Sequence, residues 1–251
     1  MKICRKIVAI GGGEIGRPGY PVETTAIDKE IIRLTGKKHP KLLFIPTASS
    51  DSSSYYETVI KHFGKTLRCK TDVLYLLNGK TSNKQASLKI LGSDIVYVGG
   101  GNTLKMMKAW RKTGIDKILR KAYERGIVLS GVSAGSICWF KWGNSDSMKY
   151  YDPKAKQIKV SGMGLINALH CPHYNADRER QTSLKEMLKN TPGVSIALED
   201  CCALEVVDNM YRIITSKRRA QAYKIYWNNN RYFKETIGKN GFASLDELLN
   251  I

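Results

Sequence analysis

The sequence predicts an α/β fold in which a mostly parallel central sheet is flanked by helices and followed by antiparallel strands. Two observations predict it. Through the first two-thirds of the chain, short runs of Val, Ile and Leu alternate with segments of helical apolar spacing, and strands buried on both faces of a parallel sheet read this way. In the last third, strand patterns follow one another directly, with Asp208-Asn209 and Asn228-Asn229-Asn230 where hairpin turns belong. The length of 251 residues suits one domain, taken as residues 1–251. Residues 203–240 are read as β-hairpin additions, to the same sheet or to a small flanking one.

The elements follow in order. Ile7–Ile10 is a strand, and Thr25–Thr35 a helix with Ile27, Ile31 and Leu34 on one face. Lys41–Ile45 is a strand stopped by Pro46, Tyr55–Lys65 a helix and Thr71–Leu76 a strand. Gln85–Leu91 is helical, Ile95–Val98 extended, and Thr103–Thr113 and Ile115–Glu124 are helices ending before Gly126. Ile127–Ser130 is again a strand, followed by a short helix over Ser136–Phe140. Ser195–Leu198, Ala203–Val207, Tyr211–Thr215, Ala220–Trp227 and Arg231–Thr236 are strands. Ser244–Leu249 closes the chain as a helix, with Ser244 as N-cap and Glu247 at the capping-box position.

Composition removes several classes of protein. Apolar residues make up 42% and charged residues 25%, enough apolar surface for a folded core. No apolar run approaches the roughly 20 residues needed to cross a bilayer. The basic N-terminus reaches Gly11 without the apolar stretch of a secretion signal, so a cytoplasmic location is expected. Six cysteines without CxxC spacing read as reduced thiols, not as a zinc or disulfide framework. The formal charge of +19 attracts anions. Its lysines and arginines are spread along the chain, however, with no basic tail or RNP-like strand, so nucleic acid is not the expected partner.

Three glycine-rich turns are candidates for chemistry. Gly11, Gly13 and Gly16 spell GxGxxG after the first strand, but Arg17-Pro18-Gly19-Tyr20-Pro21 cannot open the helix that holds a pyrophosphate. No dinucleotide, and no other cofactor or metal, is expected; this loop passes close to a site or merely turns. Gly99-Gly100-Gly101-Asn102-Thr103 lies between a strand and a helix and suggests backbone amides exposed to a closely approaching group. Gly131-Val132-Ser133-Ala134-Gly135 fits GxSxG between a strand and a helix, the context of a nucleophile elbow. There Ser133 would be the nucleophile and the Ala134 amide an oxyanion donor.

A serine hydroxyl needs a base. His39 and His62 read as surface residues, whereas His170 and His173, in Leu169-His170-Cys171-Pro172-His173, follow the elbow and either fits the order nucleophile, acid, base. For the orienting acid, Asp146, Asp152 and Glu199 compete.

Taken together, the strand–GGGNT–helix unit, Gly131-Val132-Ser133-Ala134-Gly135, Asn144-Ser145-Asp146 and Cys171-Pro172-His173 resemble the dipeptidase E family of serine peptidases, which includes aspartyl dipeptidases and the related cyanophycinases. The resemblance spans about Lys6 to Val207. It implies a class I glutamine amidotransferase-like fold and a Ser-His-acid triad made of Ser133, His173 and Asp146, with Gly100, Gly101 and Ala134 as oxyanion donors. Glu199 falls where cyanophycinase-like members place a later acid, so it rivals Asp146 or touches substrate. Arg178 resembles the family's arginine for a substrate carboxylate, and Glu14 is a candidate partner for a substrate ammonium. The activity implied is metal-independent hydrolysis of short peptides, in particular dipeptides with N-terminal aspartate. Alternatives are another amide or ester hydrolase and a non-catalytic basic nucleic-acid-binding protein. A small peptide is the expected partner, a homodimer is allowed, and no membrane is expected.

Overall fold

The computed structural model describes residues 3–77, 81–176, 178–239 and 241–251. The strands are β1 (Lys6–Ile10), β2 (Lys41–Ile45), β3 (Lys70–Val73), β4 (Ile95–Val98), β5 (Val128–Val132), β6 (Phe140–Ser145), β7 (Ile158–Ser161), β8 (Ile166–Cys171), β9 (Ser195–Leu198), β10 (Cys202–Val207), β11 (Met210–Thr215), β12 (Ala222–Asn228), β13 (Arg231–Thr236) and β14 (Ala243–Ser244). The α-helices are α1 (Thr25–Arg33), α2 (Ser53–Val59), α3 (Asn83–Leu91), α4 (Thr103–Thr113), α5 (Ile115–Glu124), α6 (Ala134–Ile137), α7 (Arg178–Lys189) and α8 (Leu245–Leu249). A π-helical turn, Ile60–Thr66, continues α2.

Among the described residues, one eight-stranded sheet runs β14-β11-β10-β1-β5-β4-β2-β3. Its members β1 to β5 are mutually parallel where they pair, and β10 lies antiparallel to β1. Side chains alternate across it. Val8, Ile10, Leu42, Phe44, Ile95 and Tyr97 join Ile27, Ile31, Val59 and Phe63 of the helical layer on one face. Ile7, Ala9, Leu43, Val96, Val98 and Leu129 join Met106, Trp110 and Leu119 on the other. The period of two, applied to runs that are apolar throughout, buries both faces.

A second sheet of six strands, β13-β12-β9-β8-β6-β7, packs on the second of those faces through Trp139, Phe140, Ile166 and Ile196. The C-terminal strands are divided: β10, β11 and β14 extend the central sheet, while β12 and β13 extend the second. Asn229 and Asn230 both take positive φ (48° and 59°) between β12 and β13, as a two-residue hairpin turn of matching twist requires. The helix expected over Ser136–Phe140 is shorter and earlier, because Phe140 opens β6 and enters the core between the sheets. The strand expected to reach Leu76 ends at Val73. No helix among the described residues is long and apolar enough to cross a membrane.

Two chain crossings between the sheets position the site. The chain leaves the central sheet at β5, passes through α6 and enters the second sheet at β6. It returns through residues 199–201, between β9 and β10. Ser133 stands at the first crossing and Asp200 at the second.

Candidate active site

At the first crossing Ser133 adopts φ 56°, ψ −113°, a strained conformation for any side-chain-bearing residue. The surroundings hold it there. Its N–H donates to the Ile10 carbonyl at 3.1 Å, and its carbonyl accepts from the amides of Ser136 and Ile137 at 3.0 Å each. The flanking glycines are obligatory for a close approach: a Cβ at Gly135 would stand 2.1 Å from the Val98 carbonyl oxygen, and one at Gly131 2.4 Å from the Gly135 oxygen. The hydroxyl of Ser133 makes no hydrogen bond with a described residue and lines a cavity of about 840 Å³ together with His173. The cavity lies off the carboxyl ends of β1, β2, β4 and β5, where open parallel sheets bind ligands.

His173 follows β8. Its backbone is left-handed (φ 51°), and its amide donates to the Gly11 carbonyl at 3.1 Å. Its Nδ1–H donates to Asp200 Oδ1 at 2.6 Å, which leaves Nε2 to accept a proton from a nucleophile. Burial of Asp200 disfavours its charge, but the hydrogen bond and charge of His173, with Arg180 and Lys217 further off, outweigh this and hold the carboxyl below its ordinary range. The Asp200 amide donates to Asn175 Oδ1 at 3.0 Å.

The first glycine loop explains how the pair is held. Gly11 N–H donates to the Cys202 carbonyl and Cys201 N–H to the Gly12 carbonyl, both at 2.8 Å. A Cβ at Gly12 would lie 1.9 Å from Asp200 Oδ1 and 2.4 Å from His173 Nδ1. The loop therefore brings bare backbone against the imidazole–carboxylate pair. Among the described residues no helix begins before Thr25.

Several residues singled out by sequence lie elsewhere. Asp146 does not meet His173; its carboxylate takes Arg180 at 3.2 Å, because the chain turns at Ser147 toward α4 and α7. Glu199 accepts from the Gln221 amide at 2.9 Å and the Tyr223 hydroxyl at 3.1 Å, and His173 is paired instead with Asp200. Asp152 accepts from the Lys154 amide. Arg178 is exposed at the start of α7 and is not part of the cavity wall. Glu14 reaches the cavity but pairs with Arg17. His170 is fully buried between Ser136 Oγ and the Ile196 carbonyl, both at 2.8 Å, and stacks on Phe140. His62, expected at the surface, is buried against Asp28. Asp200 carries no motif of its own in the sequence; only the folded crossing shows which of the neighbouring carboxylates Glu199 and Asp200 meets His173.

The second glycine loop closes the site. Gly100 lies against Ser133: a Cβ there would come 3.5 Å from Ser133 Cβ and 3.9 Å from its Oγ. Gly101 takes φ 134°, and a Cβ on it would sit 2.3 Å from the Ala48 carbonyl oxygen. Asn102 caps α4, its Oδ1 accepting from Lys105 N–H at 2.9 Å. Arg17 and Lys105 are the lysine and arginine side chains of the cavity wall; Arg17 is paired with Glu14, while Lys105 Nζ donates to the neutral Ser50 hydroxyl at 2.8 Å. Among the described residues no group of three or more His, Cys, Asp or Glu side chains could hold a metal ion.

Comparison with known proteins gives this constellation a family. The chain is 31% identical over 225 residues to the peptidase YgaJ of Bacillus subtilis (strain 168), covering 88% of this chain and 92% of that one. It is 25% identical over 199 residues to peptidase E of a Nostoc species, covering 75% and 78%. Its fold is shared with a crystal structure of a peptidase from an acI-B1 Actinobacterium, with a TM-score of 0.73 at 17% identity, over 96% of this chain and 97% of that one. The profile of peptidase family S51 matches residues 7–214. The chain therefore belongs to peptidase family S51, the dipeptidase E family of serine-type peptidases.

Proposed function

We propose that this serine peptidase works through Ser133, His173 and Asp200, and that it cleaves dipeptides bearing an N-terminal aspartate. The single observation carrying the mechanism is the His173–Asp200 hydrogen bond of 2.6 Å on the wall of the cavity that also exposes Ser133. Ser133 Oγ bonds to the scissile carbonyl carbon as His173 Nε2 takes its proton, while Asp200 holds the imidazole tautomer and faces the positive charge that develops. His173 returns the proton to the amine, the C–N bond breaks, and an acyl-enzyme remains. Water, deprotonated by His173, then attacks the ester carbon, and Ser133 leaves with that proton. Amides of Ala134 and of the Gly100–Gly101 turn are the candidate oxyanion donors, each worth about 3 kcal/mol.

Support for an acidic substrate comes from Lys105, whose hydrogen-bond partner in the cavity is a neutral hydroxyl, with Asp51 acting on it through charge at longer range, so that an ammonium is presented to a substrate carboxylate. Labelling with a fluorophosphonate tests the nucleophile: folded wild type takes up the probe at neutral pH and Ser133→Ala does not. A wild type that stays unlabelled overturns the assignment. Asp-X, Asn-X, Ala-X and β-aspartyl dipeptides then test specificity, and turnover of Ala-X alone overturns the acidic preference.

A further inference from the structure

Tyr55 enters the cavity from α2 with its ring against Phe44, centroid to centroid 4.9 Å, and against Gly99, where a Cβ would come 2.9 Å from Cε1. Its hydroxyl oxygen accepts the N–H of Gly100 at 3.4 Å, the glycine that lies against Ser133. No described residue accepts the hydroxyl's own hydrogen. Burial raises the phenol to about 12, so it stays a neutral donor across the working range of an imidazole base. A bond of 3.4 Å is long, and such bonds at active sites commonly shorten when charge develops.

We infer that Tyr55 is a catalytic residue, donating its O–H to the oxyanion that forms when Ser133 adds to the scissile carbonyl, while Gly100 N–H polarises the donor from behind. The inference rests on Ser133 being the nucleophile. It reassigns Gly100: its amide serves the oxyanion through the tyrosine hydroxyl rather than by direct contact. A hydroxyl so placed is worth most in the transition state, because the carbonyl oxygen carries little charge before attack.

The test compares wild type, Tyr55→Phe, a protein carrying 3-fluorotyrosine at position 55, and Ser133→Ala. Each is followed by the rate of fluorophosphonate labelling and by kcat and KM on the best dipeptide. The phenylalanine variant keeps the ring and its packing, and its thermal midpoint verifies the fold. We expect its kcat and labelling rate to fall about 10²-fold with KM little changed, a loss that a purely positional role of the ring does not produce, and the fluorinated protein, which keeps ring and hydroxyl, to retain activity. If Tyr55→Phe labels and turns over at the wild-type rate or faster, Tyr55 is not a donor, and the nucleophile assignment stands as long as Ser133→Ala is inert. If wild type does not label, both assignments fall together.

Discussion

Glu199 and Asp200 are neighbours in sequence and strangers in space. The first is taken up by Tyr223 and the Gln221 amide of the second sheet, the second by His173. We expect Asp200→Asn to lower kcat by about 10⁴-fold, since an asparagine no longer imposes the right imidazole tautomer. Asp146→Asn should leave kcat within a few-fold and act on stability through Arg180; steady-state kinetics of the two variants checks both. Gly12→Ala is the sharper test of the packing, because its methyl would collide with both the carboxylate and the imidazole. A displacement of about 1 Å at a reacting group can cost 10²-fold, so the variant should fold and lose at least that much activity. Ser133, the proposed nucleophile, was legible in sequence because its strain demands small neighbours and a strand before it. Asp200, the proposed acid, was not, because nothing in the spacing of Glu199-Asp200 tells which of the two carboxylates meets His173.

At the scale of elements, most of the central sheet and its helices could be read from apolar spacing: β2, β4, α4 and α5 begin and end where their runs do. The second sheet was harder. β6 carries Lys141, Gly143 and Asn144 in a short run, and α7 is polar except for Leu184, Met187 and Leu188; neither pattern stands out from loop. Packing supplies what periodicity lacks there, since α7 lays those leucines on Leu169, Ala197 and Ile225. β8 carries a buried histidine with a calculable effect on stability. Burial depresses His170 from 6.5 to about 3, while the unfolded chain protonates near its ordinary value. Between those values the unfolded state binds a proton the native state does not. Stability should thus fall as pH drops from about 6.5 toward 3 and be unaffected by this group above that range. Chemical denaturation across pH, compared with His170→Gln, checks the slope. Asn102, the cap of α4, also donates from Nδ2 to the Ser147 carbonyl; Asn102→Ala should cost about 1 kcal/mol or more by the same measurement.

For the molecule as a whole, the charge of +19 surrounds a cavity whose proposed ligand is anionic. Such a field raises encounter rates for negative substrates and is screened by salt. We expect kcat/KM for acidic dipeptides to fall as sodium chloride is raised and that for Ala-X to stay flat. Lys105→Met should bring the Asp-X and Asn-X rates together without slowing fluorophosphonate labelling.

β1 lies between β5 and β10 in the central sheet, so Lys6–Ile10 is flanked on one side by a strand that lies far along the chain, Cys202–Val207. The glycines at its end bear on a histidine–aspartate pair that exists only once residues 199–207 have docked. We therefore expect a chain truncated before residue 199 to take up no fluorophosphonate although it contains Ser133, because His173 then lacks Asp200 and β1 lacks its antiparallel neighbour.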